Sequence, residues 1–193
     1  KSDTISPVIY NVYDLPLFSL TSNDLDADIC INDTVNFQAF NSDSSYQYQF
    51  FINNIPSSLY QDSVGSFSSS NLLDNDTVSV TARDTLGCTN NSSIIFNVNN
   101  LPTPSLNSSV QGNVICENQS VTFTGNGASE YEFYLNGVIQ QAFSLSTTWT
   151  ISSLAFEDTV TLVGKNLSGC VSDAVESFSY FVTPNPTTSL SSS

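Results

Sequence analysis

"DNDTVSVTARDTLGC" at residues 74–88 returns further along the chain as "FEDTVTLVGKNLSGC" at residues 156–170. Each copy sets an acidic residue before Thr-Val, alternates polar and apolar positions, and closes on Gly-Cys. Alternation with a period of two marks a half-buried β-strand. Gly supplies the positive φ that a tight turn after such a strand demands. A strand that occurs twice implies a folding unit that occurs twice.

Outward from that stretch the two copies keep their landmarks. "LPLFSL" from Leu15 and "LPTPSL" from Leu101 begin an offset of 86 that pairs Cys30 with Cys116, Val35 with Val121 and Phe37 with Phe123. "YQFFINN" then meets "YEFYLNG", pairing Tyr48 with Tyr131 and Phe50 with Phe133. From Phe67/Trp149 the offset is 82 through Thr77/Thr159, Gly87/Gly169 and Cys88/Cys170. Asn53-Asn54 and Asn136-Gly137 fall where a two-residue hairpin needs positive φ. About seven short strands in each stretch of about 85 residues predict an all-β chain of two tandem immunoglobulin-like antiparallel β-sandwich domains. The cores are expected from Phe37, Tyr48, Phe50, Phe67, Val78, Val80 and Phe96, and from Phe123, Tyr131, Phe133, Trp149, Val160, Leu162 and Phe178. "VIYNVYDLP" at 8–16 matches "IIFNVNNLP" at 94–102, and "TPNPTTSL" at 183–190 matches "LPTPSLNS" at 101–108. The expected organisation is therefore 1–14 as the last strand of a preceding repeat, 15–100 and 101–182 as two repeats, and 183–193 as the first strand of a following one, within an elongated array.

Eighteen acidic residues against three basic ones give a formal charge of −15, which repels nucleic acid and anionic membrane surfaces. No apolar run approaches the ~20 residues of a membrane-spanning helix, so neither nucleic acid nor direct membrane insertion is expected. Ser and Thr supply 52 residues and Asn 21, a surface that suits strands and turns better than helices. The absence of His removes the commonest general base and metal ligand. With no base to activate a hydroxyl and no paired carboxylates in an evident cleft, an enzyme is not expected.

Cys-x-x-x-x-Val-x-Phe at 30–37 and 116–123, Tyr-x-Phe at 48–50 and 131–133, and Asp-Thr-Val followed by Gly-Cys resemble the Ig-like, PKD-related tandem repeats of giant Bacteroidota cell-surface proteins. The resemblance covers nearly the whole chain, though its motifs are short and shared by functionally different proteins. It implies type IX secretion, an extracellular location on the cell surface, and a structural or adhesive spacer role in a gliding adhesin or extracellular filament. The alternatives are a glycan- or receptor-binding Ig-like module and an accessory domain of a large secreted enzyme. Expected partners are neighbouring repeats of the same chain, with other surface proteins or glycans beyond them. No Trp stands on the third strand, so antibody-type core geometry does not follow.

Four cysteines allow three disulfide pairings. Pairing within repeats would join Cys30 to Cys88 and Cys116 to Cys170. In an Ig-like sandwich the second and sixth strands run parallel, so a cysteine before the second and one after the sixth stand about 20 Å apart, beyond disulfide reach. Pairing between repeats would join Cys30 to Cys170 and leave Cys88 and Cys116 for neighbouring repeats. Free thiols remain a third option, and no Cys-x-x-Cys spacing favours zinc.

Asp followed by Thr or Ser and then an aliphatic residue occurs six times, placing Thr4, Thr34, Ser63, Thr77, Thr85 and Thr159 after a carboxylate. Turn chemistry at the start of a strand accounts for such words, because Asp bonds nearby backbone N–H groups. The resemblance adds a second reading, since the triplet is similar to the O-glycosylation acceptor of exported Bacteroidota proteins. Finally, "NDLDAD" spaces Asp24, Asp26 and Asp28 as calcium ligands are spaced, without the Gly and closing Glu of an EF-hand loop. Beyond this possible calcium no cofactor is expected.

Overall fold

Period-two alternation builds the central strands of the first unit in the computed structural model, which describes residues 9–40 and 45–186. The chain divides into two compact units, Lys1–Val98 and Asn99–Ser193. In the first, strands β1 (Ser19–Ser22), β2 (Asp28–Cys30), β3 (Val35–Phe40), β4 (Gln47–Ile52), β5 (Ile55–Pro56), β6 (Gln61–Asp62), β7 (Val64–Ser69), β8 (Thr77–Arg83), β9 (Thr89–Ile95) and β10 (Asn97–Asn99) follow in order. One layer is β1-β3-β7; the other is β5-β4-β8-β9 with β6 also on β4; β2 pairs with β10 at the margin. Every second residue of β3 and β8 is buried. These faces bring Val35, Phe37, Tyr48, Phe50, Val78, Val80 and Phe96 into one core at 1% exposure or less.

The second unit repeats the scheme with β11 (Ser105–Ser108), β12 (Val114–Cys116), β13 (Val121–Asn126), β14 (Glu130–Leu135), β15 (Val138–Ser144), β16 (Thr148–Ile151), β17 (Thr159–Lys165), β18 (Val175–Ser179) and β19 (Phe181–Thr183). Its layers are β11-β13-β16 and β15-β14-β17-β18, and β12 runs parallel to β19. Phe123, Phe133, Val160 and Leu162 are fully buried in its core. The expected all-β pair of sandwiches is what forms.

Three expectations need adjustment. Phe67 and Trp149 are half-buried lids rather than core: Phe67 stacks on Phe37 and Phe50 at 5.9 and 5.5 Å between ring centroids, and Trp149 packs on Phe123 and Phe133 at 5.8 and 6.1 Å. The counterpart of Phe96 is Tyr180, not Phe178. Phe96 O accepts from Asn75 N and meets Phe37 edge-on, whereas Tyr180 O accepts from Glu157 N and meets Phe123 edge-on. The offset has therefore slipped from 82 to 84 after Cys170. Of residues 1–14, expected as a preceding repeat's last strand, 1–8 lie outside the described residues and 9–14 carry no strand. A strand exists only through a ladder partner, and none in this unit pairs with them. Of the stretch from 183, only Thr183 lies in a strand, the end of β19; 184–186 carry none, and 187–193 lie outside the described residues.

Candidate functional site

The Asp-Thr-Val words fold into a clamp that both units build from the same atoms. Asn53 and Asn136 sit at the first position of their hairpins with φ of 49° and 51°, the left-handed geometry that Asn tolerates. Their side chains reach the start of the neighbouring strand. Asn53 Oδ1 accepts from Thr77 N at 3.0 Å while its Nδ2 donates to Asp76 Oδ1 at 2.6 Å. Asn136 does the same with Thr159 N and Asp158 Oδ1, at 2.9 and 2.7 Å. The second carboxylate oxygen of each Asp accepts a backbone N–H three residues back, Leu73 N at 2.8 Å and Ala155 N at 2.7 Å. Leu72 and Leu154, four residues before each Asp, anchor the loop in the core at 2% and 6% exposure.

The other words are turns as well. Asp33 accepts from Cys30 N, and Gln119 takes that part for Cys116 in the second unit. Asp84 Oδ1 accepts from Leu86 N and Cys88 N, closing the β8–β9 hairpin over Gly87 at φ 89°. Asn166 does likewise for Cys170 over Gly169. Asp62 accepts from the Gln47 amide. The hydroxyls that follow these carboxylates differ in reach: Thr34 and Thr85 are exposed, whereas Ser63, Thr77 and Thr159 are half-buried. Thr159 also hydrogen-bonds Asn136. Thr4 lies outside the described residues.

Cys88 and Cys116 are free thiols, so neither within-repeat pair forms. The first unit shows why. β2, ending in Cys30, lies beside β10, past the end of the β8–β9 ladder where Thr77 meets Ile95. Cys88 lies past the other end, where Arg83 meets Thr89. A seven-residue ladder separates those ends by roughly 20 Å. Cys30 and Cys170 are each disulfide-bonded.

The three acidic residues at 24–28 serve separate turn bonds. Asp24 Oδ1 accepts from Ala27 N, Asp26 Oδ1 from Asp28 N, and Asp28 Oδ1 from the Asn97 amide. Among the described residues no group of three or more His, Cys, Asp or Glu is arranged to hold a metal ion.

One cation per unit rests on an aromatic ring at equivalent places. Arg83 lies 4.2 Å from the Tyr60 centroid and donates to Gln47 Oε1 at 2.5 Å. Lys165 lies 4.8 Å from the Phe143 centroid and forms an ion pair with Glu130 at 2.7 Å. Gln47 also donates to Asp62, which makes a carboxylate–amide–guanidinium chain. These groups, with Ser45, Asp84 and Thr85, line a shallow pocket of about 540 Å³. Within the second unit, the Tyr134 hydroxyl donates to Glu132. That hydrogen bond, then burial and the adjacent negative charge, hold the phenol above its usual range.

No protein-family model matches the chain, and no curated protein matches it. Among solved structures it is similar to the fibronectin(III)-like modules of Clostridium thermocellum CbhA, at 11% identity and a TM-score of 0.52, over 86% of this chain and 95% of that one. Murine CEACAM1b aligns at 12% identity and a TM-score of 0.41 over 86% and 100%, and the human OSCAR ligand-binding domain at 14% and 0.36 over 86% and 98%. At these identities the likeness is one of fold alone. The fold is an Ig-like β-sandwich.

Proposed function

We propose that the chain is a pair of spacer repeats from a large secreted protein, acting on the cell surface or in an extracellular fibre by length and stiffness. The observation that carries this reading is duplication down to the turn. The Asn–Asp clamp recurs atom for atom in both units, and the hairpin that ends in Gly-Cys is closed by Asp84 in one and Asn166 in the other. That is how arrays extend a chain without changing its ends. An Ig-like sandwich with disulfide-bonded cysteines is typical of extracellular domains. We further propose that Cys30 pairs with Cys170, since both are bonded and the other two are free. Cys88 and Cys116 then occupy the matching places for neighbouring repeats. O-glycosylation belongs to the same proposal, with exposed Thr34 and Thr85 as the preferred acceptors, and so does the gliding-adhesin type of surface protein that the sequence resembles.

Pulling the chain from its ends tests the spacer reading. With the bond intact, the roughly 140 residues between the two cysteines stay out of the extension; reduction releases about 500 Å of further contour length. Equal contour lengths with and without reductant would remove the stiffening role.

A second reading, a glycan- or receptor-binding module, is favoured by the Arg83 pocket. Its Gln47, Asp62 and Arg83 side chains offer convergent donors and acceptors for a polyhydroxylated ligand.

A further inference from the structure

At the end of each unit where the short two-stranded sheet forms, three equivalent positions carry opposite chemistry. In the first unit they are Asp28 on β2, Asn97 on β10 and Asp74 in the loop before β8. Asn97 Nδ2 donates to Asp28 Oδ1 at 2.9 Å, and Val98 N donates to Asp74 Oδ1 at 3.2 Å. In the second unit Val114, Phe181 and Phe156 stand at those places. Val114 and Phe181 are partners on the β12–β19 ladder, and Phe181 meets Phe156 edge-on at 5.3 Å between centroids. Val114, Phe181 and Phe156 are 57%, 51% and 56% exposed. A cleft of about 410 Å³, lined in part by Leu154, Val182 and Pro184, opens beside Phe156. The sandwich does not need these rings, since the first unit folds with polar groups in their place. An exposed apolar cluster on so polar a surface marks a contact with another molecule. Rings tilted at 63° to each other make no flat platform for a sugar, which favours a protein side chain.

We propose that this apolar end docks the β8–β9 hairpin, residues 84–88, of a second copy of this chain, head to tail, and that Cys116 then joins Cys88 of that copy. Two observations select the occupant. The first is the thiols. Cys116 lies two residues beyond Val114 on β12, so it shares that strand's apolar side. Cys116 and Cys88 are free, whereas their counterparts Cys30 and Cys170 are both bonded. The inference rests on the Cys30–Cys170 pairing proposed above, which joins an end of this kind to a hairpin of this kind. The second observation is the match of tip to end. Leu86, two residues before Cys88, is 62% exposed. Its counterpart in the second unit's hairpin is Ser168, which donates to Asn99 Oδ1 at 2.8 Å. The hairpin linked to the polar end thus carries a polar tip, and the apolar tip and the apolar end are the two left over.

Mixing a Cys88→Ser chain with a Cys116→Ser chain in glutathione disulfide tests the proposal, because only the mixture can form a Cys116–Cys88 bond. The Cys116 thiolate attacks glutathione disulfide and releases one glutathione. The Cys88 thiolate of the other copy then attacks the mixed disulfide at Cys116 and releases the second, so the two cysteines are oxidised and glutathione disulfide is reduced. We expect the mixture to give crosslinked dimer at least about tenfold faster than either variant alone, because docking raises the local concentration of one thiol at the other. Random collision would instead favour the exposed Cys116, so the Cys88→Ser chain alone would crosslink fastest. Within the mixture, Leu86→Ser on the chain that keeps Cys88, or Phe181→Asn on the chain that keeps Cys116, should slow crosslinking about tenfold. Together they should slow it far less than about a hundredfold, since both remove one shared contact. Leu86→Ser leaves β19 untouched. Variants alone that crosslink as fast as the mixture overturn the proposal, and so do substitutions without effect or with effects that simply multiply. The Cys30–Cys170 link, read in a digest of the same products, tells failure of this docking from failure of the pairing it rests on.

Discussion

Set side by side, the two units agree where the backbone turns and differ where a ring needs room. Both pack a tyrosine, Tyr48 on β4 or Tyr131 on β14, against the neighbouring layer, and both leave a glycine beside it. In the first unit that glycine is Gly65 on β7, opposite Ala39 on β3. In the second it is Gly125 on β13, opposite Thr147, whose carbonyl accepts Gly125 N. A Cβ at Gly65 would meet Tyr48 at 2.6 Å, and one at Gly125 would meet the Tyr131 ring at 2.6 Å. The space is required in both, but opposite strands provide it. Packing volume is thus a property of the layer rather than of an aligned position.

The largest effect should come from cutting the shared clamp. Asp76→Ala leaves Leu73 N and the Asn53 amide without their acceptor at a buried site, and should lower stability by about 3 kcal/mol. Asp158→Ala, at a more exposed site, should cost less, about 1–2 kcal/mol. Amide exchange along β8 and β17 reads the two separately, and equal costs would break the correspondence between burial and effect. Gly125→Ala comes next, at about 2 kcal/mol from overpacking. Trp149, the single tryptophan, reports its unit's unfolding in denaturant. Adding Thr147→Gly should recover part of the loss if the layer and not the position sets the volume.

Smaller still is Glu130→Gln, which gives the second unit the first unit's neutral partner. The pair is partly exposed, so a change within about 0.5 kcal/mol is expected. The Tyr134–Glu132 bond makes stability depend on pH only in alkali. Its phenol is raised in the folded chain, so the stability it contributes is complete below the unfolded value near 10. It is lost as pH climbs through the folded value. Parent and Tyr134→Phe should converge above that range and differ below it.

Alternation in Val35–Phe40 and Thr77–Arg83, together with the repeat, made the sandwich legible in the sequence, because burial on one face imposes a period of two. The frame slip after Cys170 was not legible. "FSYF" offers an aromatic on either face, and only the ladder decides that Tyr180, bonded to Ser108 at 2.6 Å, points inward. The cysteines were partly legible, since strand length alone argues against pairing within a unit. The Asn53 and Asn136 clamps were missed as partners of Asp76 and Asp158. The recurrence of Asn at the same hairpin position was the available signal.

The central claim, that these are linked repeats of one array, is tested most directly by proteolysis of the unreduced chain and mass spectrometry of the fragments. The account predicts one crosslinked species containing Cys30 and Cys170, with Cys88 and Cys116 recovered as thiols. A peptide joining Cys30 to Cys88, or Cys116 to Cys170, would contradict it.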